Sequence, residues 1–242
     1  MKKKLLILAI LILGTSVSQA QWGKRVKGNG DETTETREVG TYERLSVSHI
    51  FKVTLVKGAE GRLTIEGEEN LLPYVITDVS GGRLKITVEK GVQLQASKGS
   101  DGIRVRVPVT DLDEITVSGA ADIYSEGKFS FDKLRAESSG ASELHLDVSA
   151  SEIRVQTSGA SEMDLEGSTG RLDVRSSGAS NFHAYGLIAD HVEAQVSGAA
   201  DVRVNASKSL NAQASGAGNI RYKGDPEKIN KQSSRAASVK KS

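Results

Sequence analysis

"SSGASELHLDVSASEIRVQTSGASEMDL", residues 138–165, carries Ser-Gly-Ala-Ser-Glu twice, at 139–143 and again at 158–162. Ser-Gly-Ala occurs six times in the chain, with glycines at Gly119, Gly140, Gly159, Gly178, Gly198 and Gly216, so the interval between copies is nearly constant. A short, near-constant period marks a stacked architecture, because a unit that small cannot bury its own apolar face and must borrow its neighbours.

Alignment on the glycine shows what each position does. Four residues after it stand Ile123, Leu144, Met163, Phe182, Val202 and Ile220, and six after it Ser125, Leu146, Leu165, Ala184, Val204 and Tyr222. Between these columns lie Tyr124, His145, Asp164, His183, Arg203 and Arg221. Four before the glycine are Ile115, Ala136, Val155, Val174, Ala194 and Ala212, and six before it, after an initial Asp113, come Leu134, Ile153, Leu172, Val192 and Leu210. Both flanks alternate with period two, so each is a strand with one buried face. Stacking at about 4.8 Å joins like positions into columns. The glycine supplies a corner conformation that a Cβ would bar, the alanine after it is expected to sit inside the corner, and the serine before it can bond one coil away. The chain is therefore expected to be all-β, a β-helix or β-solenoid with about six Ser-Gly-Ala corner repeats, preceded by an irregular β-rich portion. A β-sandwich with coincidental turns is the alternative.

Residues 38–117 also read as strands, in "RLSVSHIFKVTLV", "GRLTIEGEE", "GGRLKITVEK" and "GIRVRVPVTDLDEITV", with Gly81-Gly82 as a hairpin signal. No linker separates them from the repeats at 118–224. Residues 21–37, "QWGKRVKGNGDETTETR", are polar and unpatterned and are expected to be mobile. Residues 225–242 read either as a polar tail or as a degraded capping turn in which Arg235 takes the glycine position.

Residues 1–20 have the plan of a secretory signal peptide: Lys2, Lys3 and Lys4, an apolar run from Leu5 to Leu13 too short to span a bilayer, and small residues at Ser18 and Ala20. Their removal takes away three lysines and leaves 29 basic against 31 acidic residues, a charge near −2 that offers no basic surface to a nucleic acid. The chain has no cysteine, so packing and backbone hydrogen bonds must hold the fold and a lipid-anchored cysteine is not expected. No later segment is apolar enough to cross a membrane as a helix. These features predict an exported protein of the periplasm or cell surface.

The Ser-Gly-Ala copies, preceded by "VGTYERLSVSHIFKVTLVKG" and "EENLLPYVITDV", resemble the head GIN domain family, also described as putative auto-transporter adhesins. The resemblance covers about residues 38–224. It implies a β-helical, secreted or envelope-associated protein of Gram-negative bacteria, with no catalytic residues to carry over.

One column invites reading as a binding site. Three after each glycine stand Asp122, Glu143, Glu162, Asn181, Asp201 and Asn219. Stacked carboxylates repel by roughly 1 kcal/mol per close pair in water. Exposure, nearby bases or a bound Ca2+ could relieve them. A solvated row with amide ladder bonds is the plainer reading, and no resident cofactor or metal is expected. His145 and His183 fall two coils apart with Asp164 between, too far for both to bind one metal ion directly. His49 and His191 have no evident partner.

Catalysis finds little support. There is no cysteine nucleophile, no G-x-S-x-G and no H-E-x-x-H, and the serines are expected to sit in a structural repeat away from any activating histidine. The reading is a non-enzymatic binding module whose polar columns, such as Thr116, Glu137, Gln156, Arg175, Gln195 and Gln213, meet a carbohydrate or an envelope protein. A carbohydrate-active enzyme using Glu143 and Glu162, or a calcium-stabilised spacer, are the alternatives.

Overall fold

The computed structural model describes residues 23–242. The proposed signal segment lies outside them. The described chain is all-β apart from one 3-10 turn at Leu72–Tyr74, and its strands stack as the parallel coils of a β-solenoid. Strands Glu143–Thr157, Glu162–Ser176, Asn181–Val196 and Asp201–Ala214 each run from one Ser-Gly-Ala corner to the next and pair in register one repeat apart. Leu144 faces Met163, which faces Phe182, which faces Val202, and all four are fully buried. The columns four and six before the glycine are buried from Leu134 and Ile115 onward, so both predicted faces close on one core. A buried side chain of this size contributes about 1.5–3 kcal/mol, and the stack repeats that contribution at every turn.

The corner takes the predicted conformation. The six glycines have φ between +66° and +83°. A Cβ on Gly140, Gly159, Gly178, Gly198 or Gly216 would stand 2.6–2.8 Å from the carbonyl oxygen of the glycine one turn back. The residue must be glycine both for its dihedral and because the next coil lies against it. That same carbonyl accepts the N–H of the following alanine, as in Ala160 to Gly140 at 2.8 Å.

The alanine does not sit inside the corner as expected. Ala141, Ala160, Ala179, Ala199 and Ala217 are exposed at the tip, and the next residue is the buried one: Ser142, Ser161, Ser180, Ala200 and Gly218. The left-handed glycine turns the chain so that the second residue after it points inward. Where that residue is serine, its hydroxyl donates to the carbonyl three residues back, at 2.9 Å for Ser142 to Ser139 and 2.8 Å for Ser180 to Ser177. Ser142, Ser161 and Ser180 can therefore be buried without an orphaned donor.

The first portion builds the same cross-section in a different order. Arg44–His49 and Phe51–Lys57 form a coil that lies between Arg83–Val88 with Ile103–Val109 on one side and Glu114–Gly119 with Asp122–Ser125 on the other. The chain thus lays down its second rung first, goes outward to the terminal one, and crosses back to begin the repeats. The outer end is closed by antiparallel pairs: Val75–Ser80 on Arg83–Val88 through the Gly81-Gly82 hairpin, and Glu32–Glu38 on Arg62–Glu68. One continuous core covers both portions.

One expectation about the ends changes, and at the other end one of the two open readings is favoured. Residues in the 21–37 stretch are strands: Lys24–Lys27 pairs with Val92–Gln95, and Glu32–Glu38 with Arg62–Glu68. The anchor between them is Glu68, 1% exposed, whose carboxylate accepts the N–H groups of Gly30 at 2.6 Å and Ser97 at 2.9 Å. A Cβ at Gly28 would fall 2.1 Å from that carboxylate, so a side chain there would displace it. Residues 225–242 form the degraded turn rather than a free tail, with Lys228–Ser233 pairing on 209–214 and Ser238–Lys241 on Asn219–Tyr222. Arg235 holds the corner position without a positive φ.

Candidate functional site

Two outward columns run side by side on the face after the corner. The first reads Lys52, Asp122, Glu143, Glu162, Asn181, Asp201, Asn219, Ser238, and the second Thr54, Tyr124, His145, Asp164, His183, Arg203, Arg221, Lys240. The predicted acidic and amide column is therefore one physical row. At one end of the row bases in the adjoining column relieve the repulsion. Asp201 lies 3.0 Å from Arg203 Nε and 3.3 Å from Arg221 Nη1. At the other end burial, and then the neighbouring Glu143, push the Asp122 carboxyl above its usual range, with Lys52 and His145 opposing. Burial together with Asp122 and Glu143 pushes the Tyr124 hydroxyl up to about 12, and that hydroxyl donates to Glu143 Oε2 at 3.2 Å.

The middle of the row differs. Asp164 stands between two imidazoles, with His145 Nδ1 3.0 Å from Oδ2 and His183 Nδ1 3.1 Å from Oδ1. The His-Asp-His line expected from the spacing is thus a contact chain through one carboxylate. The His145 ring stacks on Tyr124 with centroids 5.0 Å apart and planes within 4°.

The other two histidines have partners that the sequence did not show. His49 is the corner residue of its coil, in register with Gly119, and carries the only positive φ outside glycine among the described residues, +79°. Its Nδ1 lies 3.1 Å from Ser48 Oγ and 3.2 Å from Thr87 Oγ1. His191 Nδ1 lies 2.8 Å from Ser209 Oγ. Two serines therefore do stand beside histidines, contrary to expectation. Ser48 precedes His49 in the chain, and strand pairing brings Ser209 to His191 from the next coil. Neither ring has a carboxylate within ion-pair distance among the described residues, so neither pair has the orienting acid of a hydrolytic triad.

On the face before the corner the register aligns Thr116, Glu137, Gln156, Arg175, Gln195, Gln213 and Gln232. From Gln156 onward this column lines an open groove of about 660 Å³ together with Ser177, Ser197, Ser215 and Ser234. No aromatic residue lines it. The guanidiniums of the next column are neutralised, Arg135 by Glu137 and Arg154 by Glu152 at 2.7 Å, as is Arg171 one column further by Asp173 and Glu193 at 3.1 and 3.0 Å. Arg175 makes no ion pair among the described residues, so the groove holds a free cation amid amides and hydroxyls.

Comparisons with known proteins agree on the architecture. A putative adhesin from Bacteroides fragilis shares 22% identity and superposes with a TM-score of 0.82, covering 90% of this chain and 100% of that one. A protein from Parabacteroides distasonis described as a putative lipid binding protein gives 20% identity and 0.75 over 90% of this chain and all of its own. A putative adhesin from Parabacteroides merdae gives 20% and 0.73 over 90% and 99%. At these identities the likeness is one of fold. No curated protein matches the sequence. The family model described as putative auto-transporter adhesin, head GIN domain, matches residues 41–226, and the chain belongs to that family.

Proposed function

We propose that this protein is an exported, non-enzymatic binding module, and that its ligand is an extended chain lying along the solenoid axis in the glutamine-lined groove. The observation that carries the reading is the groove itself: amide side chains and hydroxyls recur along it from turn to turn, around the guanidinium of Arg175, which has no ion pair among the described residues. Each amide offers donors and an acceptor at about 4.8 Å intervals, and a polymer with a regular repeat of hydroxyl or carboxylate groups can satisfy several rungs at once. An acidic polysaccharide fits best, since a guanidinium pairs bidentately with carboxylates. The acidic and amide column flanks the same corner ridge and offers further polar contacts.

Export is supported by the signal-like character of residues 1–20. No helix among the described residues is long and apolar enough to cross a membrane. The non-enzymatic reading is supported by corner serines whose hydroxyls are engaged with backbone carbonyls and by the lack of an acid beside His49 or His191.

The test is a screen of the protein against surface polysaccharides and envelope proteins, followed by Arg175→Ala and Gln195→Ala. Binding should fall at least ten-fold in Arg175→Ala for an acidic glycan while the melting temperature stays within a degree or two. A ligand whose affinity is indifferent to both substitutions would remove the groove as its site. A ligand that is a folded envelope protein would replace the polysaccharide.

A further inference from the structure

In the middle of the acidic row carboxylates meet without a permanent cation. Among the described residues no Lys or Arg lies within ion-pair distance of Glu143, Glu162 or Asp164, whereas Asp201 in the same columns has two arginines. What stands there instead is a set of metal-ligating atoms. His183 Nδ1 is 3.1 Å from Asp164 Oδ1 and 3.5 Å from Glu162 Oε1, and the three ligand atoms all lie within 4.8 Å of one another.

We propose that Glu162, Asp164 and His183 form a binding site for a divalent transition-metal cation of the Zn2+ class, distinct from the ligand groove. The first argument is distance. Tetrahedral zinc with arms of about 2.0–2.2 Å to nitrogen and oxygen sets its ligand atoms about 3.3–3.5 Å apart, and two of the three separations are already close to this. The second is rigidity. Glu162 and Asp164 project from one strand and His183 from the next in a parallel ladder, so forming the site orders no loop. The third is support outside the ligand set. The remaining oxygen of Asp164 is held by His145, whose ring is fixed against Tyr124, and such an outer partner orients a ligating carboxylate. His145 is thus a positioning residue rather than a ligand, in keeping with the two-coil separation of the imidazoles. The side chains are 27–40% exposed, which leaves the fourth coordination position open to water or to an oxygen of a bound partner. An imidazole nitrogen with two carboxylates suits Zn2+, Co2+, Ni2+ or Cu2+, and offers too few oxygens for Ca2+.

The experiment is isothermal titration of the chelator-stripped protein with Zn2+ and, separately, Ca2+, with Co2+ absorption as a second readout. One Zn2+ per chain is expected, with visible Co2+ bands that Zn2+ abolishes. His183→Ala and Asp164→Asn should each lower affinity at least ten-fold, His145→Phe about ten-fold, and His191→Ala not at all. If His183→Ala fails to fold, His183→Asn and the Co2+ spectrum of the parent carry the same decision. Failure of Zn2+ to saturate at one site, undiminished binding in His183→Ala, or Ca2+ binding tighter than Zn2+ would each overturn the site.

Discussion

The repeats from residue 114 onward and the coils before them reach the same cross-section by opposite routes. From the Gly140 corner onward every coil follows its neighbour in sequence, so one corner solution is copied and each glycine rests on the glycine before it. In the first portion the rungs are laid out of order, and the corner at His49 belongs to a coil whose pairing with the strand beneath stops at Val47 opposite Ile86. No glycine corner lies under His49, so a Cβ is tolerated there at φ +79°. What forbids a side chain at the later corners is thus the presence of a coil beneath as much as the dihedral. The other contrast is in closure. The first end is sealed by antiparallel strands and a buried carboxylate, while the last turn is exposed and lysine-rich, with Lys228, Lys231, Lys240 and Lys241 on its two strands. Charge on an open edge discourages further strand addition.

Substitution at the corners should separate these two accounts most sharply. Gly159→Val would place Cβ 2.8 Å from Gly140 O, and should destabilise the fold by about 3–5 kcal/mol in urea titration. His49→Gly should move the other way or stay near zero, since it relieves about 1 kcal/mol of left-handed strain. Equal losses at both positions would mean that stacking and not local geometry governs the first portion too.

The cap offers the next largest effect. Glu68→Gln puts an amide against two backbone donors and should cost about 2–4 kcal/mol, read as faster hydrogen exchange over residues 24–38. Burial opposes ionisation of Glu68, yet the hydrogen bonds from Ser97 and Gly30 outweigh it and hold the carboxyl below its usual range. Because the folded value lies below the unfolded one, its contribution is complete above the ordinary carboxylate range and is lost as pH falls through the folded value. Exchange over 24–38 should therefore accelerate below about pH 4 and in Glu68→Gln should not. An unchanged exchange rate in the variant would reassign the cap to strand pairing alone.

A smaller effect is expected where the two portions are tied. Arg83 and Glu114 bond at 2.7 and 3.2 Å across the interposed coil, and this hydrogen bonding lowers the Glu114 carboxyl. A double-mutant cycle to alanine should give a coupling of about 0.5–1 kcal/mol for this partly exposed pair. Smallest of all, Arg235→Gly should change stability by less than about 0.5 kcal/mol, because none of the described residues stacks on that corner. A melt shifted by several degrees would show that Arg235 does more than end the stack.

Much of the repeat half is legible from columns alone: Met163 and Phe182 as core, Asp164 and His183 as surface, Gly159 as a left-handed corner. The candidate columns follow, since a fixed period converts sequence spacing into adjacency. Three things do not. The inward position of the corner belongs to the serine and not to the alanine before it, because period-two alternation breaks at a tight turn. The strands at Lys24–Lys27 and Glu32–Glu38 leave no pattern to read, because their partners are remote and their side chains mostly polar. The pairing of His191 with Ser209 is hidden by a register shift between Ala189 and His191.

The sequence by itself thus determined the repeating unit, its buried and exposed faces and the glycine at each turn, since these depend on residues a few positions apart. Only the tertiary structure decided the order of the first coils, the burial of Glu68, the pairing of the strands at Lys24–Lys27 and Glu32–Glu38 and the meeting of His191 with Ser209. Those rest on which backbones lie side by side, and where the period fails, sequence distance no longer measures distance in space.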